Sequence, residues 1–128
     1  MDILMDTHVA LWWVNEHEKL SHKARSILLD ESNNLHISIA SLWEIAIKTS
    51  LGKLSDLNSG ASSFQSQMQR MPVNLLHIEQ HHTLVVEELP FFHKDPFDRM
   101  LVAQAMIEGM AILTIDENIH KYDILTIW

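Results

Sequence analysis

Apolar positions along the chain form short runs separated by helical stripes. Ile3 to Met5 is an apolar run closed by Asp6, and Val9 to Val14 continues apolar through two tryptophans, which reads as strand, turn, helix. Ser21 can cap a helix through Ala24, Ile27 and Leu28, and Asn33-Asn34 breaks the chain before a strand from Leu35 to Ser38. Leu42, Ile45, Ala46 and Thr49 recur at helical spacing and predict one buried face, stopped at Gly52, with Glu44 and Lys48 off that face. Residues 55–63, rich in Ser, Asn and Gly, read as a loop and as the candidate mobile segment or partner site, leading into a polar helix near Phe64 to Met71. Pro72 precedes a predicted strand, Val73 to Leu76, and then a helix from about Glu79 to Glu88 that ends before Pro90.

The next segment, FFHKDPFDR, is the most distinctive. Asp95 can act as N-cap and Pro96 takes the first helical position, where its missing N–H costs nothing. The helix runs to Glu108 with Gly109 just past its end, so Asp98 lies in the first turn. Ala111 to Ile115 reads as a buried strand ending in Asp116, and Ile124 to Trp128 as a short final one. Strands alternating with helices predict an α/β fold with a central parallel sheet flanked by helices on both faces.

With 128 residues, 47% of them hydrophobic, the chain fits one domain, 1–128, able to bury roughly two thirds of the surface exposed when unfolded. No apolar run approaches a membrane span, and the start lacks the basic region of a signal peptide, so the expectation is a soluble, unexported, cytoplasmic protein. The absence of cysteine excludes disulfides and thiolate metal sites.

Charge changes the picture. A net charge of −8 argues against strong non-specific attraction to nucleic acid. A nucleic-acid substrate would need a local offset, from a metal or from Lys48, Lys53, Lys94 and Arg99 if they ring the cleft. The acidity could equally serve a basic protein partner.

Asp6 and Asp116 end two apolar strands, and ligands of open parallel sheets bind beyond such ends. Glu44 and Asp98 lie near two helix starts. Carboxylates crowded together repel and take up protons unless a cation compensates them, and a hard ion, Mg²⁺ or Mn²⁺, suits all-oxygen ligands. Each acid also has an ordinary explanation. Glu44 follows Ser41 at capping-box spacing and can pair with Lys48, and Asp98 sits where the helix dipole favours a carboxylate anyway. Asp6 and Asp116 are harder to account for by packing, whereas capping alone suffices for Asp95. Thr7 and Thr114 each stand close to a strand-end acid and could bond a carboxylate or local backbone. Among nine histidines, His77 and His81 have the spacing of two zinc ligands on a helix, with His82 adjacent. No Glu follows His77 as the zinc-protease motif requires, so surface histidines are the better reading. His8, beside Asp6, is the more plausible site neighbour. Trp12, Trp13 and Trp43 fall within helical apolar patterns and read as core.

LMDTH at 4–8, SLWEIAIK at 41–48, LGKL at 51–54, HKDPFDRMLVAQA at 93–105 and LTID at 113–116 together resemble the PIN domain, and more narrowly the VapC-type toxins of bacterial toxin–antitoxin pairs. The resemblance covers essentially the whole chain. It implies a PIN-like three-layer α/β/α fold and a homodimer, with Asp6, Glu44, Asp98 and Asp116 as metal-binding catalytic acids and Thr114 as a site hydroxyl. The implied activity is a Mg²⁺- or Mn²⁺-dependent endoribonuclease leaving a 5′-phosphate and a 3′-hydroxyl. The implied partner is a small antitoxin whose basic or Arg-bearing tail enters the acidic cleft. Thr7, His8, Asp95, Arg99 and Thr114 are the candidates for supporting the ligands or touching substrate. Asp6-Thr7-His8 replaces the commoner Asp-Ser-Ser or Asp-Thr-Asn, and Ile119 stands where many relatives carry an aromatic residue. Two rivals remain. One is a catalytically silent PIN-like module whose acidic groove binds a basic protein segment. The other is a phosphatase of the haloacid dehalogenase type, which His8 disfavours by occupying the position of that chemistry's second Asp.

Overall fold

The computed structural model describes residues 1–54 and 60–128. Ile3, Leu4 and Met5 lie on β1 (Asp2–Met5), where side chains alternate between faces. Ile3 and Met5 enter one hydrophobic core and Leu4 the other. The remaining strands are β2 (Asn34–Ser38), β3 (Val73–Leu76), β4 (Ala111–Leu113) and β5 (Thr126–Ile127), in spatial order β3-β2-β1-β4-β5. Every pairing is parallel, with Ile3 opposite both Leu35 and Ala111.

The helices are α1 (Thr7–Val14), α2 (His22–Leu29), α3 (Ile39–Ser50), α4 (Gly60–Gln69), α5 (Gln80–Glu88), α6 (Pro96–Glu108) and α7 (Glu117–His120). Val9, Leu28, Phe64 and Met68 place α1, α2 and α4 over one face, and Leu101, Val102 and Ile119 place α6 and α7 over the other. The result is the three-layer α/β/α arrangement expected from the alternation of elements. The chain builds outward from β1 to β3 and then returns to add β4 on the other side of β1. A crevice therefore opens between the carboxyl ends of β1 and β4, the topological switch point where such sheets bind ligands.

Several local expectations change. Residues 60–63 are not loop but the start of α4, and the rest of that predicted segment, 55–59, lies outside the described residues. Helix α3 begins at Ile39 with Ser38 as its cap, its hydroxyl accepting from the Ala40 amide at 3.0 Å, so Ser41 and Glu44 form no capping box. Ala46 is exposed, and the buried side of α3 carries Ala40, Ser41, Glu44 and Ile45 instead. Trp12 is core, but Trp43 is 59% exposed and meets Phe97 edge to face. Strand β4 stops at Leu113, and α7, which the sequence pattern did not reveal, follows it.

Candidate active site at the carboxyl edge of the sheet

Asp6 leaves β1 and becomes the N-cap of α1, with Oδ1 accepting from the His8 amide at 3.3 Å. Its Oδ2 accepts from the Thr114 hydroxyl at 2.6 Å, just beyond β4. The same hydroxyl oxygen accepts from the Asp116 amide at 3.0 Å, so one threonine ties both strand ends together across the crevice. Asp116 caps α7, its Oδ1 accepting from the Asn118 amide at 2.8 Å. Asp95 caps α6 by accepting from the amides of Phe97 and Asp98, which fixes Asp98 in the first turn. Glu44 is only 2% exposed, pointing inward from α3. Its Oε2 accepts from Lys48 Nζ at 2.5 Å, while Oε1 is buried without a hydrogen-bond partner.

These carboxylates act on one another. Burial, and after it the charges of Asp6, Asp95, Glu44 and Asp116, push the Asp98 carboxyl up to about 8. Burial likewise raises Asp6, helped by the charge of Glu44 and opposed by the Thr114 hydrogen bond and by His8. Burial alone would lower Lys48, but its bond to Glu44 and the charges of Glu44, Asp95 and Asp98 outweigh that and raise it, so it stays a cation beside the acids.

An acidic cluster with an orphaned buried carboxylate oxygen fits a divalent cation. Among the described residues, no three of these acids bring ligand oxygens within 4.8 Å of one another. That spacing suits an ion that keeps part of its water shell, as Mg²⁺ commonly does.

The other candidates separate. Thr7 is buried and donates to Ser41 Oγ at 2.8 Å, touching no carboxylate. His8 is exposed, with its ring near Trp12. Arg99 faces neither solvent nor cleft. Its guanidinium is buried, donating to the carbonyls of Val86, Leu89 and Pro90 and to the Tyr122 hydroxyl, with Phe91 stacked against it. It therefore closes the end of α5 rather than reaching for a phosphate.

The histidines divide differently from the sequence reading. His77 precedes α5 and is not on a helix with His81. Among the described residues, His81, His82 and Glu108 form the group whose ligand atoms approach within 4.8 Å. The tautomer of His82 argues against a metal there. Its Nδ1 accepts the Glu79 amide at 2.8 Å, so Nε2 carries the proton and donates to Glu108 at 2.9 Å. His82 is a buried helix cap with no lone pair free for an ion. The residue that the sequence reading passed over is His93. Its Nε2 lies 3.4 Å from Asp98 Oδ2, and its Nδ1 lies 3.0 Å from the Tyr122 hydroxyl. Its only signal was its place in FFHKDPFDR.

The sequence matches the PIN domain over residues 3–125. The chain belongs to the PIN domain family. This PIN domain is 28% identical to Ribonuclease VapC22 of Mycobacterium tuberculosis over 121 residues, 94% of this chain and 91% of that protein. It is 37% identical to Ribonuclease VapC16 of the same organism over 62 residues, a match spanning 48% of this chain and 44% of that protein. Among solved structures it resembles VapBC2 from Rickettsia felis bound to a promoter DNA fragment, with a TM-score of 0.73 at 15% identity over 99% of this chain and 98% of that one. It also resembles DNA-bound VapBC from Salmonella typhimurium, with a TM-score of 0.68 at 16% identity over 100% and 97%. At such identities the structural likeness shows the fold.

Proposed function

We propose that this PIN domain is a divalent-metal-dependent endoribonuclease, the toxin half of a toxin–antitoxin pair, acting as a single domain over residues 1–128. The observation that carries the reading is the carboxylate cluster at the switch point, in which Thr114 joins Asp6 to Asp116 while Glu44, with one buried oxygen unpaired, and Asp98 crowd beside them. The names of the two ribonuclease relatives support RNA as substrate, and those of the VapBC structures support a VapB-like protein partner. The silent-module alternative is not favoured, because both curated relatives are ribonucleases by name.

Asp6, Glu44, Asp98 and Asp116 would hold Mg²⁺ or Mn²⁺, directly or through water. When bound, the ion supplies Lewis acidity and positive charge beside the phosphodiester under attack. The chain's own residues set the geometry. Thr114 holds Asp6 in one orientation, Asp95 anchors the turn that presents Asp98, and Lys48 pairs with Glu44 and adds a fixed cation. Glu44 completes the ligand set or positions the attacking water.

Antitoxin-free protein incubated with a mixed RNA pool in Mn²⁺ or EDTA, beside Asp98→Asn, tests this. Metal-dependent cleavage absent from the variant is expected, leaving a 5′-phosphate and a 3′-hydroxyl. Equal cleavage by both proteins would remove Asp98 from the site, and no binding of Mn²⁺ at all would favour the silent module. A homodimer in the cytoplasm, and an antitoxin with a basic segment that co-purifies with natively expressed protein, complete the proposal. Among the described residues no helix is long and apolar enough to cross a membrane.

A further inference from the structure

The strongest unabsorbed feature lies behind Asp98. Arg99 Nη1 donates to the Tyr122 hydroxyl at 3.2 Å, and that hydroxyl lies 3.0 Å from His93 Nδ1. A guanidinium can only donate, so the phenol oxygen accepts from Arg99 and still carries a proton to place. Tyr122 is almost wholly buried, and the acceptor within reach of that proton is His93 Nδ1. If the phenol donates to Nδ1, the imidazole proton must sit on Nε2. That nitrogen is buried, has no hydrogen-bond partner, and stands 3.4 Å from Asp98 Oδ2.

We propose that Tyr122, itself oriented by Arg99, locks His93 in the Nε2–H tautomer, which makes His93 the positioning residue of the Asp98 carboxylate. The inference rests on the reading of Asp98 as a metal ligand. A donor behind a carboxylate ligand fixes which oxygen faces the ion and holds its rotamer, and loss of such a partner commonly weakens metal binding 10- to 100-fold, an order-of-magnitude range. The separation of 3.4 Å is longer than a good hydrogen bond, and hydrogen bonds of catalytic groups commonly tighten when substrate binds. The arrangement also gives the buried Arg99 a link to the site, since its hydrogen bonds to α5 and the following turn hold the phenol in place.

Two measurements test this on the intact chain. The first is long-range ¹H–¹⁵N correlation of the histidine rings, with His93 assigned by its loss in His93→Gln. At about pH 9, where the Asp98 carboxyl is an acceptor only, it should show His93 protonated on Nε2, and Tyr122→Phe should mix the tautomers. Protonation on Nδ1 in the parent overturns the proposal, and so does a pattern unchanged by Tyr122→Phe. The second is Mn²⁺ titration followed by the electron paramagnetic resonance of the free ion, with thermal unfolding to verify folding. His93→Leu should bind roughly 10- to 100-fold more weakly. His93→Gln, whose amide can place a donor near the position of Nε2, should recover most of that loss. Parental affinity in His93→Leu, or a folded His93→Gln no better than His93→Leu, overturns the proposal. The tautomer is read without metal or RNA, so its failure leaves the nuclease reading standing. Conversely, undiminished RNA cleavage by Asp98→Asn would defeat the nuclease-site reading whatever the tautomer.

Discussion

Removing the charge of Asp98 should make the metal-free protein more stable at alkaline pH while abolishing its catalysis. The folded carboxyl holds its proton up to about 8, whereas the unfolded one releases it near 3.8. Between those values the folded state binds more protons, so its stability falls as pH rises through that window and the contribution is lost above it. At about 1.36 kcal/mol per unit the full shift corresponds to on the order of 5 kcal/mol. Relaxation and water entry when the charge appears reduce this to roughly half. Between pH 5 and pH 8.5, which covers about three quarters of that window, and with about 3 to 5 °C per kcal/mol for a chain of this length, the parent in EDTA should lose roughly 6 to 10 °C in Tm. Asp98→Asn has no proton to release there and should lose much less, ending above the parent at the alkaline end. A saturating divalent ion should reverse the order, since an ion at about 100 times its Kd stabilises the folded parent by about 2.7 kcal/mol and the variant by less. Differential scanning fluorimetry of both proteins across this range, with EDTA or with Mn²⁺, reads all of this. Parallel Tm curves for parent and variant in EDTA would refute the assignment of Asp98 as the buried, raised carboxyl.

Other substitutions probe the supports of the site. Thr114→Val keeps the shape but removes the donor to Asp6 and the acceptor for the Asp116 amide, and should cost about 1 to 3 kcal/mol in urea unfolding together with a roughly 10- to 100-fold loss of RNA cleavage; a parental cleavage rate would dismiss the tie across the crevice. Lys48→Met leaves Glu44 buried without its cation and should destabilise metal-free protein by about 1 to 2 kcal/mol, less than a fully buried pair because the ammonium is partly exposed, with added Mn²⁺ recovering most of the loss; Tm values with and without the ion decide. Arg99→Lys should lower stability by about 2 to 4 kcal/mol, because one ammonium cannot serve three carbonyls and a phenol, and an unchanged urea midpoint would show that those bonds do not carry the end of α5.

The alternation of strands and helices was legible because a parallel sheet needs apolar runs closed by turns, and Asp95-Pro96 with Gly109 marks both ends of α6 by local chemistry alone. Asp6 was legible for the same reason, since charge at the close of an apolar run conflicts with packing, whereas Asp116 stands beyond the end of β4 as the cap of α7 rather than at the strand end. What the sequence could not separate were positions whose meaning depends on contacts distant in the chain. Arg99 looks like a surface cation, but the carbonyls it binds lie on α5 and the turn after it. Trp43 fits an apolar stripe by spacing, yet packing turns Ala40, Ser41, Glu44 and Ile45 of α3 to the core and leaves Trp43 outside. Helix α7 is a single turn, too short for periodicity to register.

The structure also explains how a fold tolerates so many acids at one edge, and why Asp98 is pushed so far. Asp6, Asp95 and Asp116 each cap a helix, so backbone amides at the starts of α1, α6 and α7 offset part of their charge. Thr114 adds a second donor to Asp6. Glu44 lies inside α3, beyond help from free amides, and takes an ammonium from Lys48 instead. Asp98 receives neither, because the amides at the start of α6 go to Asp95, and the nearest side-chain donor, on His93, stands back at 3.4 Å. Burial and the surrounding charges therefore fall on the one carboxylate without a donor of its own. Ion binding would be felt most strongly at Asp98, which makes its neutral replacement the sharpest probe of whether the cluster exists to hold a cation.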